Sequence, residues 1–204
     1  MSEFDARARD WDKNQRYIDR SQAVAETLRQ MIPLNKKMKA LEYGSGTALL
    51  SFALRDEFAE IVLMDNSKEM TAVAVEKIAD QNIENMTPLF FDLELQDYHA
   101  KFDIIYSQMV MHHVNDIDAM LLKFYKLLNR GGYLAIADLY AEDGSFHGKG
   151  FNGHNGFDPD YLKSRLLSAG FYDVIFKQCF VISKETDEGS TKQYPVFLII
   201  ARTE

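Results

Sequence analysis

The chain has 204 residues and a formal net charge of −8, with 47% hydrophobic and 12% aromatic residues. That length is enough for a sizeable core, the apolar content excludes a disordered chain, and the acidic balance disfavours a broad nucleic-acid surface. The one cysteine, Cys179, excludes an internal disulfide and suits a reducing compartment. The opening Met1-Ser2-Glu3-Phe4-Asp5 lacks an apolar signal core, and no apolar run is long enough to span a membrane. A cytoplasmic protein is therefore expected.

In chain order, residues 4–31 read as helical in two pieces, closed by Pro33. Phe4, Trp11 and Tyr17 are expected to pack this segment onto the core; the sharper reading has it close over a ligand. A strand over Lys39 to Tyr43 runs into Gly44-Ser45-Gly46 and a helix over Thr47 to Glu57. The glycines permit positive φ and close approach of a ligand, and the helix start presents N–H groups to it. A second buried strand, Ile61 to Met64, ends at Asp65, with Ser67 as N-cap of the next helix and Met70, Val73 and Ile78 as its apolar stripe. Strands follow over Met86 to Phe91 and Phe102 to Ser107. A helix over Ile117 to Leu128, stopped by Arg130-Gly131-Gly132, precedes a strand over Tyr133 to Ala137.

Five of the eleven glycines fall within 144–156, among Phe146, His147, Phe151 and His154. This stretch reads as a mobile lid loop, bounded at 141–158. After a helix over Pro159 to Ala169, strands over Tyr172 to Ser183 and Tyr194 to Arg202 should form an antiparallel hairpin joined by the polar segment Lys184 to Lys192. Strands alternating with helices imply an α/β fold with a parallel sheet covered on both faces. One domain over 1–204, with 1–33 as an N-terminal helical cap, is expected.

Ligands of open α/β sheets sit at the carboxyl ends of the strands. Here those ends carry the glycine turn, Asp65, Asp92, Ser107-Gln108 and Asp138. An acid about twenty residues beyond a glycine turn suits ribose hydroxyls. Leu49 stands where a dinucleotide fingerprint needs its third glycine, and the Glu42 carboxylate would repel a pyrophosphate but not a sulfonium and ammonium. Nicotinamide cofactors are disfavoured.

These stretches resemble class I S-adenosylmethionine-dependent methyltransferases. Glu42-Tyr43-Gly44-Ser45-Gly46-Thr47 is similar to their motif I, with Thr47 in place of a last glycine. Leu63-Met64-Asp65-Asn66-Ser67 resembles the acidic loop, and Phe91-Asp92-Leu93-Glu94 the adenine-side motif. Phe102 to Ser107 with Met111-His112-His113-Val114, and Leu127 to Tyr133, resemble the fourth- and fifth-strand motifs. The resemblance implies a Rossmann-like seven-stranded methyltransferase sheet of order 3-2-1-4-5-7-6, strand seven antiparallel, with S-adenosylmethionine as cofactor and S-adenosylhomocysteine as product. It places Gly44, Ser45 and Gly46 against the methionine part, with Glu42 orienting that loop or meeting the ammonium through water. Asp65 would bind the ribose, Asn66 and Met70 border the adenosine, Asp92 and Leu93 bond the adenine, and Ser107 and Gln108 lie beside the sulfonium.

Transfer by in-line displacement needs alignment and, for some acceptors, a base. His147, His154 and His112 are the candidates, and His113 is expected to be structural. His147 and His154 with Asp138 or Glu142 match no strong metal signature, so no metal is expected. A small-molecule acceptor is expected, without nucleic acid or membrane, as a monomer or homodimer. RNA or protein methylation and a non-catalytic S-adenosylmethionine-binding module are the alternatives.

Overall fold

In the computed structural model, which describes residues 3–185 and 189–204, the longest apolar runs become the inner strands of one sheet. Its order is β3-β2-β1-β4-β5-β7-β6. β1 (Lys39–Tyr43) pairs in parallel with β2 (Glu60–Asp65) and β4 (Phe102–Gln108). β3 (Met86–Phe90) pairs with β2, and β5 (Leu128–Leu139) with β4, again in parallel. β7 (Thr191–Arg202) runs antiparallel to both β5 and β6 (Tyr172–Glu185), which gives the expected hairpin and order. Of the expected polar connection between them, residues 186–188 lie outside the described residues.

The central strands are continuous apolar runs because both their faces are covered. On one face lie α2 (Gln15–Met31), α3 (Leu49–Leu54) and α4 (Lys68–Asp80), which bury Leu28, Leu54 and Ala74 against Ile61, Ile104 and Leu198. On the other lie α5 (Ile117–Leu127) and α6 (Pro159–Ser168), which bury Phe124 and Leu162 with Leu41, Ile105 and Ile199. Ser67, Asp116 and Asp158 cap α4, α5 and α6 through their side chains. Among the described residues, no helix is long and apolar enough to cross a membrane.

Three local expectations are corrected. Residues 3–31 form three pieces: α1 (Glu3–Arg7), a 3-10 stretch Ala8–Lys13, and α2. Trp11 does not enter the core. It stacks tilted on Tyr17 at 4.6 Å and meets Phe4 at 6.1 Å, and all three rings stay half-buried. α5 ends at Leu127, because Leu128 is already extended (φ −83°, ψ 146°). The Arg130-Gly131-Gly132 stretch therefore belongs to β5, where the register with β4 shifts and Gly132 N–H donates to Thr203 Oγ1 at 3.0 Å.

Candidate active site

The carboxyl ends of β1 and β2 meet at the glycine turn. Gly44 and Ser45 both donate their N–H to Met64 O, at 2.8 and 3.0 Å. This sharp reversal holds Gly44 at φ +67°, and a Cβ there would strike the Val110 side chain. Asp65 closes the turn from β2: its Oδ2 accepts Gly46 N–H at 2.6 Å and its Oδ1 accepts Ser67 N–H at 2.7 Å. Burial raises the Asp65 pKa, opposed by those two N–H groups. Met70 is buried under the turn, with its sulfur 3.9 Å from where a Gly46 Cβ would stand, and Asn66 is exposed. Asp92, beyond the end of β3, accepts Glu94 N–H at 2.9 Å, and Leu93 beside it is buried.

Glu42 corrects a charge argument. It is 3% exposed and faces the core, where Ser51 Oγ donates to its carboxyl and shares a 2.6 Å hydrogen bond with Tyr106 OH. Burial pushes its pKa up to about 8. At neutral pH the group is mostly uncharged, so it does not repel a pyrophosphate. The case against a dinucleotide rests on Leu49 and on the antiparallel hairpin.

The ends of β4 and β5 carry a second cluster. Met109, at φ +58°, turns the chain out of β4 into the short turn Met111–His113. His112 Nδ1 sits 2.6 Å from Asp138 Oδ1 at the end of β5, and His112 N–H donates to Asp138 Oδ2 at 3.2 Å. Both residues are fully buried. In this pair the carboxylate accepts and Nδ1–H donates, which leaves Nε2 on the other side of the ring for another partner. His147, from the glycine-rich loop, stacks on Phe151 at 3.8 Å and lies 5.0 Å from the His112 ring and 5.4 Å from His113. Burial first, and then the neighbouring imidazoles, lowers His113 and His147 to about 4, so both are neutral at pH 7. His154 stands outside this group. Its Nε2 donates to Val114 O at 3.0 Å, its ring meets Phe157, and its N–H donates to His112 O at 2.8 Å.

The loop is tied at several points. Ser145 Oγ and Tyr194 OH share a 2.8 Å hydrogen bond, Phe146 N–H donates to Glu142 at 3.0 Å, and Lys184 Nζ donates to Phe146 O. A Cβ on Gly153 would strike His112 O, so this glycine serves close approach.

The N-terminal segment covers the glycine turn, a feature the sequence signals only through the exposed-looking aromatics. Asp12 accepts from Thr47 Oγ1 and, at 2.6 Å, from Lys77 Nζ, which also donates to Thr47 O at 2.7 Å. Asp5 accepts from Ser67 Oγ at 2.7 Å, and Phe4 packs edge-on to His113 at 5.2 Å. Ser45 and Thr47 are buried beneath it. Several buried polar atoms near this edge have no hydrogen-bond partner among the described residues: Ser107 Oγ, Gln108 Oε1, Glu142 Oε1, His147 Nε2 and Arg20 Nε. Arg20, on the buried face of α2, was not distinguishable in sequence from the neighbouring surface arginines. A separate cavity of about 510 Å3 lies near the amino end of β4, between the 93–101 stretch and α5. Of its three lysines, Lys101 and Lys123 are spent on main-chain carbonyls of Lys126 and Leu93.

A family model described as a methyltransferase domain matches residues 34–155, more than half of the chain. The chain belongs to the class I S-adenosylmethionine-dependent methyltransferase family. An uncharacterized methyltransferase of Schizosaccharomyces pombe is 31% identical over 149 residues, covering 65% of this chain and 52% of that protein. A ubiquinone biosynthesis O-methyltransferase of Pelagibacter ubique is 34% identical over 104 residues, covering 51% and 43%. The chain thus spans about half or less of these curated relatives. Among solved structures, a methyltransferase in complex with the Haloferax volcanii Trm112 activator superposes with a TM-score of 0.77 at 18% identity, covering 100% of this chain and 98% of that one. The YcgJ protein of Bacillus subtilis gives 0.73 at 13%, covering 89% and 98%. These two share the methyltransferase fold. Within that fold, Gly44, Ser45, Gly46, Asp65, Asn66 and Met70 come together around one turn. Ser107 and Gln108 end the adjacent strand β4, and Asp92 lies farther along the same edge.

Proposed function

We propose that this chain transfers the methyl group of S-adenosylmethionine to a small-molecule acceptor in the cytoplasm. The observation that carries the reading is the double cover over one strand edge: the N-terminal segment lies on the glycine turn, and the 141–158 loop lies on the His112–Asp138 pair. A site roofed on both sides excludes water and suits a small acceptor. The net charge of −8 supports the same choice over RNA. The malonyl-acyl-carrier-protein, trans-aconitate and phosphoethanolamine methyltransferases among its relatives favour small acceptors or carried acyl groups.

In this reading Asp65 turns its carboxylate to the ribose hydroxyls. Gly44, Ser45 and Gly46 bring backbone close to the methionine part, and Ser107 and Gln108 offer their unpartnered oxygens beside it. Asn66 and Met70 border the adenosine, and Asp92 with Leu93 meets the adenine. Glu42 holds the turn from below through Ser51. The bound cofactor supplies a methyl group already activated on a sulfonium. The protein's remaining work is alignment and, for an acceptor with an acidic proton, removal of that proton. His112 suits the second task, because Asp138 fixes its proton on Nδ1 and leaves Nε2 as the base. Arg20 offers a buried cation to an anionic group. His154 serves as the staple of the loop rather than as a base. Titration calorimetry tests the cofactor half: S-adenosylhomocysteine should bind and NAD should not. Tighter binding of NAD overturns it.

A further inference from the structure

The metal set weighed in the sequence, His147 and His154 with Asp138 or Glu142, matches no strong signature, yet three imidazoles from two segments far apart in the chain converge at the carboxyl ends of β4 and β5. We propose that His112, His113 and His147 form a three-histidine site for a divalent first-row transition ion, with Asp138 orienting His112 from behind. One ligand nitrogen from each histidine lies within 4.8 Å of the others. Zinc–nitrogen bonds of about 2.0–2.1 Å put tetrahedral ligands roughly 3.3 Å apart, so the rings close by about 1.5 Å at most. His147 lies between Gly144 and Gly148, both at positive φ, in a loop outside the strands and helices, so closing on an ion needs no strand to move.

Four further observations fit a metal site. His112 donates Nδ1–H to Asp138, the carboxylate–histidine arrangement that fixes the tautomer and aims Nε2 at a metal. His147 Nε2 is buried with no hydrogen-bond partner among the described residues, a costly state that coordination relieves. Phe4, Phe146 and Phe151 pack around the rings and supply the apolar shell that controls solvent access. An all-imidazole set suits zinc, iron, nickel or copper and disfavours magnesium and calcium, which take oxygen ligands.

Three protein ligands leave a coordination position open, as in catalytic zinc sites. With the ion bound, His112 Nε2 is a ligand and no longer a base, and an acceptor hydroxyl or thiol at the open position would release its proton to water more readily; this role rests on the methyl-transfer reading, whereas the metal site does not. The test uses metal alone, without cofactor. Zinc(II) should bind the full chain at one equivalent with Kd at or below about 10⁻⁶ M. Cobalt(II) should give the intense visible bands of a four- or five-coordinate site. His147→Ala should weaken zinc at least 100-fold, and Asp138→Asn by about 10–100-fold. His99→Ala, at an exposed position remote from the cluster, should leave it unchanged. His147 lies on the loop, outside every strand and helix and half-buried, so its variant keeps the test open if His112→Ala fails to fold. Equal zinc affinity of wild type and His147→Ala, or a cobalt spectrum like that of the aqueous ion, overturns the proposal. Neither result bears on S-adenosylhomocysteine binding, so the two readings fail separately.

Discussion

Asp65 ends the strand beside the glycine turn, and both its oxygens accept backbone N–H groups, from Gly46 and Ser67. Its lone pairs exceed those two bonds, so it can hold the turn and still accept from a ligand. Asp65→Ala should weaken S-adenosylhomocysteine by roughly 2–4 kcal/mol in calorimetry, since charged hydrogen bonds contribute about 1.5–3 kcal/mol each and water recovers part. An unchanged affinity removes Asp65 from the ligand site. Glu42 makes a different prediction. Its folded pKa of about 8 lies above the ordinary 4.5, so the folded protein holds a proton that the unfolded chain releases between those values. Its favourable contribution is complete below pH 4.5 and falls as pH rises toward 8, at up to about 1.4 kcal/mol per pH unit. Glu42→Gln should flatten this fall in urea titrations from pH 5 to pH 8. The same slope in both proteins contradicts a buried, protonated Glu42. The sequence marked Glu42 by its place before the glycines, but burial and the Ser51 contact depend on the tertiary packing of α3 beneath β1.

At the scale of elements, the N-terminal segment is the cover over the glycine turn. Asp12, Thr47 and Lys77 tie it to the glycine turn, and Arg9 pairs with Glu76 on α4. Hydrogen exchange across residues 3–13 should slow when S-adenosylhomocysteine binds, and Asp12→Ala should raise the exchange of the free protein. Exchange indifferent to both changes leaves the segment a fixed wall. Periodicity recovered the inner strands well, because parallel strands buried on both faces read as continuous apolar runs; the strand over Lys39–Tyr43 was found to the residue. The 3-10 stretch Ala8–Lys13 was not, since its Trp11, with Phe4 and Tyr17 on either side, looks like one face of a longer helix. The start of β5 was hidden for a related reason. Gly131 and Gly132 read as a helix stop, whereas they sit in a strand at a register shift. The His112–Asp138 pair was half legible: each residue marked a strand end, but only the parallel alignment of β4 and β5 put them in contact. His147 was legible as a loop histidine and not as a neighbour of His113.

At the scale of the molecule, the sheet order gathers the glycine turn, Asp65, the histidine pair and Asp138 along one edge, although they are spread from residue 44 to residue 138. Both covers then close on that edge, one from each end of the catalytic half of the chain. The chain is a member of the methyltransferase family, and we propose that this covered edge turns the cofactor over on a small acceptor. The most direct measurement incubates the protein with methyl-labelled S-adenosylmethionine and a deproteinised, nucleic-acid-free metabolite extract, then follows label and S-adenosylhomocysteine by mass spectrometry. Equal amounts of S-adenosylhomocysteine and of a labelled small molecule are expected, with both lost in Asp65→Ala. Cofactor bound but not turned over, or label found only in added RNA or protein, would contradict it.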